Sequence, residues 1–373
     1  MGGLQIEVNS RGEQVRLLGL REATKGKDIT LTLDGRIQEV AAKLLEGKMG
    51  AIIMMDADTG EVLAMTSSPT YNPAWFAGGD EAQEAQKLFS DSSAPLLNRA
   101  ITGIFPPGSV FKVPMAICAL DQNAVGQNTS YLCNGYFEVG GIRFKCTHSH
   151  GIQSIVGAVA VSCNVFFYHV GLKLGDERIH HCADTFGLGR LTHIDLPYEK
   201  EGFVPSRHKR YALNKQPWFT GDTLNLSIGQ GDLLVTPLQL VSMMATVANN
   251  GWEVQPHVIY KIGDQLVEKY NERGKLDIPD KNFELIKKGL RGAVSEEKGT
   301  AHVLYLSDLF VAGKTGTAQT SGGRPEHAWF IGYAKIGERT IALSVLWEFG
   351  GSSYNACLIA RDLLQSIKQQ NLL

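Results

Sequence analysis

Residues 105–114 read Phe-Pro-Pro-Gly-Ser-Val-Phe-Lys-Val-Pro, and the four residues Ser109-Val-Phe-Lys112 decide how the rest of the chain is read. Pro106-Pro107-Gly108 is a hard break in any regular element. The chain beyond it, 109–120, is mostly apolar, which predicts a buried helix; Pro114 is tolerable there only near the first turn. On a helix, positions i and i+3 share a face. The Ser109 hydroxyl and the Lys112 amine are therefore expected to meet at a helix N-terminus. A serine is a weak nucleophile until a base takes its proton. A lysine desolvated in an apolar setting can have its pKa lowered enough to serve, and the helix N-terminus favours developing negative charge. Alone, S-x-x-K is a weak signal.

Two further short elements strengthen it. Ser162-Cys163-Asn164 sits inside an apolar run. A hydroxyl and a carboxamide two residues apart can both face a cleft from a loop between helices. Lys314-Thr315-Gly316-Thr317 falls on an expected strand. A strand edge can hydrogen-bond an extended peptide, Gly316 leaves room for close backbone approach, and Lys314 supplies positive charge for a carboxylate.

The surrounding pattern is that of an α+β protein. Residues 34–45 have helical spacing, with Asp34 as N-cap. Residues 50–55 and 61–66 read as a hairpin about the 56–60 turn, where Asp56 and Asp58 serve turn chemistry rather than acid–base work. Residues 131–146 read as a second hairpin about Gly140-Gly141. Helical stretches are expected over 154–174, 233–249 (starting at Thr236-Pro237) and 354–368, and strands over 310–319, 328–334 and 340–347. Residues 1–28 read as loose β-structure or a linker, and 29–373 as one domain. Of 373 residues, 43% are hydrophobic and 20% charged, with a formal net charge of −2. That balance points away from nucleic acid or an anionic membrane as partner. Ser227-Ile-Gly-Gln-Gly231 is Gly-rich but lacks the phosphate-loop pattern, and reads as a loop near the cleft. Trp218, in a loop-like stretch, is a candidate for the cleft wall.

S-x-x-K, S-x-N and K-T-G in this order form the signature shared by penicillin-binding proteins and serine β-lactamases. The chain resembles the class B penicillin-binding proteins along nearly its whole length: at 31–38 (Leu-Thr-Leu-Asp-Gly-Arg-Ile-Gln), 58–69 (Asp-Thr-Gly-Glu-Val-Leu-Ala-Met-Thr-Ser-Ser-Pro), Tyr71-Asn-Pro73, Leu97-Asn-Arg-Ala100, 107–112, His150-Gly151, 227–231, Thr236-Pro-Leu-Gln239 and 312–319. Within that class it is most similar to the penicillin-binding protein 2 branch, the elongation transpeptidases. The resemblance implies a central antiparallel sheet with helices on both sides plus a helical subdomain. It also implies that residues 1–28 are the remnant of a pedestal, with a membrane anchor preceding it, on the periplasmic face of a bacterial inner membrane.

The same resemblance implies roles. Ser109 would be acylated by the D-Ala-D-Ala end of a peptidoglycan stem peptide or by a β-lactam. Lys112 would be its base, Ser162 a proton relay, and Asn164 a holder of the substrate amide. Lys314, Thr315 and Thr317 would hold the terminal carboxylate beside Gly316, and the Ser109 and Thr317 N–H groups would form an oxyanion hole. A polymerising glycosyltransferase and elongation scaffold proteins would be partners; no organic cofactor and no nucleic acid is implied. The alternatives are a D,D-carboxypeptidase or β-lactamase of the same fold, or a non-catalytic β-lactam sensor domain.

Cys133, Cys146, His150 and Cys163 form C-x12-C-x3-H-x12-C. Three thiolates and an imidazole suit tetrahedral Zn²⁺ with every position filled, hence a structural site. Cys163 belongs to the Ser-x-Asn element, so the cluster would brace the cleft. Some relatives in the resembled branch carry Zn²⁺ at the corresponding positions. A Cys133–Cys146 disulfide, a merely buried Cys163 and His148 in place of His150 are the competing readings. Cys118, Cys182 and Cys357 have no partners nearby in sequence and read as structural.

Overall fold

The computed structural model describes residues 2–77, 82–271 and 274–373. The chain divides into two units. The smaller comprises the residues up to Leu31 together with Ile259–Val267. In it, Gly3–Val8 and Gln14–Arg21 form an antiparallel hairpin. Ile29–Leu31 pairs antiparallel with Ile259–Ile262, which also pairs with Gln265–Leu266. The division expected after residue 28 therefore falls three residues later. The segment at 259–267, assigned from sequence to the main domain, joins this unit because the Ile29–Leu31 strand finds its partner there.

The larger unit is built on a five-stranded antiparallel sheet. In spatial order its strands are Phe310–Ala318, His327–Ile336, Arg339–Trp347, Gly50–Asp56 and Val62–Ser68. The last two are joined by the expected turn, in which the Asp56 carboxylate accepts from the Asp58 and Thr59 backbone N–H groups. Burial runs without alternation through the inner strands because both faces are covered. On one face, Phe330, Leu343, Ile52 and Met54 pack with Ile37 and Ala41 of the helix Gly35–Leu44, with its C-cap Leu45, and with Ala360, Leu363 and Ile367 of the helix Ser353–Gln369. On the other, Trp329, Ile331 and Leu346 pack against Met115, Phe166, Phe167, Met243 and Met244. Those residues come from the helices Lys112–Asp121, Asn164–Thr185 and Pro237–Ala248. The last begins with a capping box between Thr236 and Gln239, as the Thr-Pro signal predicts.

One expectation is corrected here. The 131–146 hairpin is shorter than read: only Tyr136–Val139 and Ile142–Lys145 pair about the glycines, while Ser130–Cys133 turns away to pair with Gly151–Ser154. Cys118 and Cys182, read as structural, are so as a pair. They form a disulfide, 64 residues apart in sequence, tying the Lys112–Asp121 helix to the Asn164–Thr185 helix. No helix among the described residues is long and apolar enough to cross a membrane.

Candidate active site

The first strand of the sheet, Phe310–Ala318, is an edge strand, and the three motifs converge on it. Ser109 lies in a tight turn of 3-10 helix, Gly108–Phe111, and Lys112 is the first residue of the α-helix that follows. Two glycines let this turn sit against its neighbours. Gly108, at φ +54°, leaves its α-carbon so near the strand that a Cβ would lie 2.8 Å from the Thr317 carbonyl oxygen. Gly229, at φ +75°, has no space for a Cβ at all, because the Gly108 carbonyl fills it, and its own carbonyl accepts from the Gly108 N–H at 2.9 Å. The Ser227–Gly231 stretch is thus the loop that backs the Ser109 turn.

Lys112 is fully buried. Its ammonium donates to the Ser162 carbonyl (2.8 Å), the Ser162 hydroxyl (3.3 Å) and the Asn164 side-chain oxygen (2.5 Å), with the Phe167 ring 5.5 Å away. Burial pulls its pKa down from the usual lysine range to about 8. Ser162 sits at φ +58°, in the left-handed region that a non-glycine residue adopts only at a cost. The strain falls between the helices Ile155–Ala160 and Asn164–Thr185, so the expected long helical stretch is broken where the motif turns into the cleft.

Lys314 is also fully buried, and its ammonium donates to the Thr315 carbonyl at 3.0 Å. Burial, and then the charge of Lys112, hold its pKa well below the usual range. Thr315 bonds Thr300 through their hydroxyls at 2.8 Å, the Thr317 hydroxyl accepts from the Ser353 N–H at 3.4 Å, and Gln230 donates to the Thr317 carbonyl at 3.3 Å. Ser109, Ser162, Asn164, Thr315 and Thr317 all line one open cleft of about 1490 Å³. Lys112, Lys314 and Gly316 are not among its lining residues. Lys314, expected to touch a carboxylate, lies behind the threonines.

Cys133, Cys146, His150 and Cys163 place their ligand atoms within 4.8 Å of one another. His150 Nδ1 is 3.5 Å from the sulfurs of both Cys133 and Cys146. Cys133 and Cys146 are free thiols, not a disulfide. Cys163 and Cys146 share a hydrogen bond. That bond, with the Val165 and Asn164 backbone N–H groups, draws the Cys146 thiol strongly down, while Cys163 is pushed up. Tetrahedral Zn–S bonds of about 2.3 Å set sulfurs roughly 3.8 Å apart, so the donors fit that geometry with little movement. The cluster adjoins the cleft: the Asn164 N–H donates to Cys146 Sγ at 3.1 Å, and the Asn164 side-chain N–H₂ and the Tyr168 hydroxyl both donate to the Lys145 carbonyl at 3.2 Å.

Residues 50–365 match the penicillin-binding protein transpeptidase domain. The chain belongs to that family. Among its relatives, the peptidoglycan D,D-transpeptidase MrdA of Acinetobacter baumannii is 32% identical over 96% of this chain. The chain spans 56% of that relative's length. Penicillin-binding protein 2 of Pseudomonas aeruginosa, solved with WCK 5153, matches with a TM-score of 0.85 at 31% identity, covering 96% of this chain and 77% of that one. Penicillin-binding protein 2 of Helicobacter pylori, solved with MreC, matches at 0.87 and 30%, covering 99% and 69%. The penicillin-binding fold is thus the one expected, an α+β unit with helices on both faces of the sheet.

Several parts of this candidate site carry no signal in the sequence. Thr300 sits between elements without a motif, and the Ser352–Tyr354 helix start carries only an N-cap serine as a signal. Trp218 is not part of the cleft wall: its indole N–H donates to the Thr223 hydroxyl and Arg210 lies 4.9 Å over its ring.

Proposed function

We propose that this domain is a serine D,D-transpeptidase that cross-links peptidoglycan stem peptides and is acylated by β-lactams. The observation that carries the reading is the buried Lys112 ammonium held between Ser162 and Asn164 beneath the cleft that Ser109 lines. In its neutral form Lys112 takes the Ser109 proton as Oγ attacks the D-Ala-D-Ala carbonyl carbon. The C–N bond breaks, and the departing D-Ala amine receives a proton through Ser162. Ser109 is left as an ester. The amine of a neighbouring stem peptide attacks that ester, gives up its proton to the lysine, and frees the Ser109 hydroxyl as the new amide forms. The Ser109 and Thr317 N–H groups serve the oxyanion, Thr315 and Thr317 hold the terminal carboxylate, and Lys314 adds its field from behind.

Glu326 is the single carboxylate among the cleft-lining residues. It lies in the segment between the Phe310–Ala318 and His327–Ile336 strands rather than beside Ser162. That placement favours a long-lived acyl-enzyme over rapid hydrolysis. Labelled penicillin followed by mass spectrometry tests the reading: one adduct lasting minutes to hours is expected on the wild type and none on Ser109→Ala. Labelling of the alanine variant overturns the assignment, and turnover within seconds indicates a lactamase.

Zinc at Cys133, Cys146, His150 and Cys163 is part of the proposal, supported by the donor set and its spacing. Bound there, it would cross-link the hairpin to the Ser162 loop and take no part in the chemistry. The periplasmic face of the inner membrane is the proposed location, in keeping with the Cys118–Cys182 disulfide. The likeness to the Helicobacter pylori protein solved with MreC supports a scaffold partner of that kind; a glycosyltransferase partner is proposed on the sequence resemblance alone.

A further inference from the structure

The charge of the cleft is opposite to that of the chain. The formal net charge is −2. Yet the cleft is lined by four cationic side chains, Arg143, Lys145, Lys298 and Arg324, against the one carboxylate of Glu326. Arg143 is neutralised by Glu138 at 2.9 Å. Among the described residues, Lys145, Lys298 and Arg324 have no carboxylate partner; Arg324 stacks 4.4 Å over the Phe349 ring instead. All three are exposed at the rim. Unpaired like charges held along one cleft repel each other, and that cost is relieved when an anion binds.

Their placement is ordered along the edge strand. Lys298 stands two residues before Thr300, whose hydroxyl bonds Thr315, at the end where the C-terminal carboxylate of a donor peptide belongs. Arg324 lies past the other end of Phe310–Ala318. An extended peptide rises about 3.3 Å per residue, so a peptide laid on this edge from Thr317 toward Gln319 brings residues two to four positions before its C-terminus within reach of Arg324. Lys145 lines the same cleft beside the Asn164 segment, its carbonyl fixed by Asn164 and Tyr168.

Resting on the transpeptidase reading, we infer that the cleft selects an acidic donor peptide, one with free carboxylates upstream of its terminal D-Ala-D-Ala, and that Arg324 and Lys145 read those carboxylates. A peptide with the same carboxylates amidated is the disfavoured substrate.

The test uses two soluble D-Ala-D-Ala pentapeptides that differ only in having free or amidated upstream carboxylates, with D-Ala release as the readout. The wild type is expected to favour the acid form by roughly tenfold in kcat/KM at low salt, with the preference shrinking as ionic strength rises. In the Lys145→Gln/Arg324→Gln double variant the ratio should fall to near one. In Lys43→Gln, which removes a single positive charge outside the cleft on the Gly35–Leu44 helix, it should stay as in the wild type. Melting temperatures of the variants report their folding. Equal rates on both peptides in the wild type, or an undiminished ratio in the folded double variant, overturns the inference. Loss of penicillin labelling at Ser109 would instead overturn the underlying function.

Discussion

Lys112 must be neutral to take a proton, and burial carries it only part of the way by lowering its pKa. Desolvation brings it to about 8, so at pH 7 most molecules still hold the charged form. Penicillin acylation is therefore expected to fall about tenfold per pH unit below 8 and to level off above it. A stopped-flow pH profile checks this; a flat profile from pH 6 to 9 would remove Lys112 as the base. Ser162 adds a second single-residue constraint. The two motifs named these residues from the sequence alone, yet the positive φ of Ser162 was invisible there. Serine carries no conformational signature of that kind, and the surroundings impose it.

At the scale of elements, the site depends on two backbone supports. One is the contact of the Ser109 turn with the Ser227–Gly231 loop. Gly229→Ala has both a left-handed φ and a carbonyl in the way of its Cβ. It should cost about 1–3 kcal/mol of stability and slow acylation at least tenfold, measured as unfolding midpoint and acylation rate together. The other support is the cysteine–histidine cluster. Stripping metal with a strong chelator should lower acylation several-fold by freeing Asn164 and the Ser162 loop, with recovery on adding Zn²⁺; metal analysis of the untreated protein should find one zinc per chain.

The sheet strands and the Gly35–Leu44, Pro237–Ala248 and Ser353–Gln369 helices could be read from periodicity and caps. The Asp280–Ser295 helix was not, because it opens on Pro279 without a capping side chain and its polar face dominates. The split of the 131–146 stretch was not legible either. Pairing of Ser130–Cys133 with Gly151–Ser154 is decided by which strand arrives alongside, and no turn signal announces it.

At the scale of the molecule, the Cys118–Cys182 bridge joins the two helices whose first residues are Lys112 and Asn164. Closing a loop of 64 residues restricts the unfolded chain by about 4 kcal/mol in the entropic account. The Cys118→Ala/Cys182→Ala variant should accordingly unfold at a clearly lower urea concentration than the oxidised wild type, with a slope no shallower, since its unfolded chain is less restricted. An unchanged midpoint would mean that core packing alone holds the two helices together. Six cysteines spread over a long chain gave no pairing, since neither partner is near the other in sequence.

That bridge sets a sorting problem for the newly made polypeptide. Two of its thiols must be oxidised while Cys133, Cys146 and Cys163 stay reduced, and Cys163 lies 19 residues before Cys182 on the same stretch of chain. An oxidant that reached all six at once would find several wrong pairs within easy reach. Capture of the proposed metal ion at an early stage would mask three of them as thiolates and leave Cys118 and Cys182 to find each other with Cys357 as the one remaining competitor. On the proposed periplasmic location, zinc supply during export would then govern the yield of correctly bridged protein, and a preparation made with reductant to protect the cluster would lose the very link that ties the helices bearing Lys112 and Asn164.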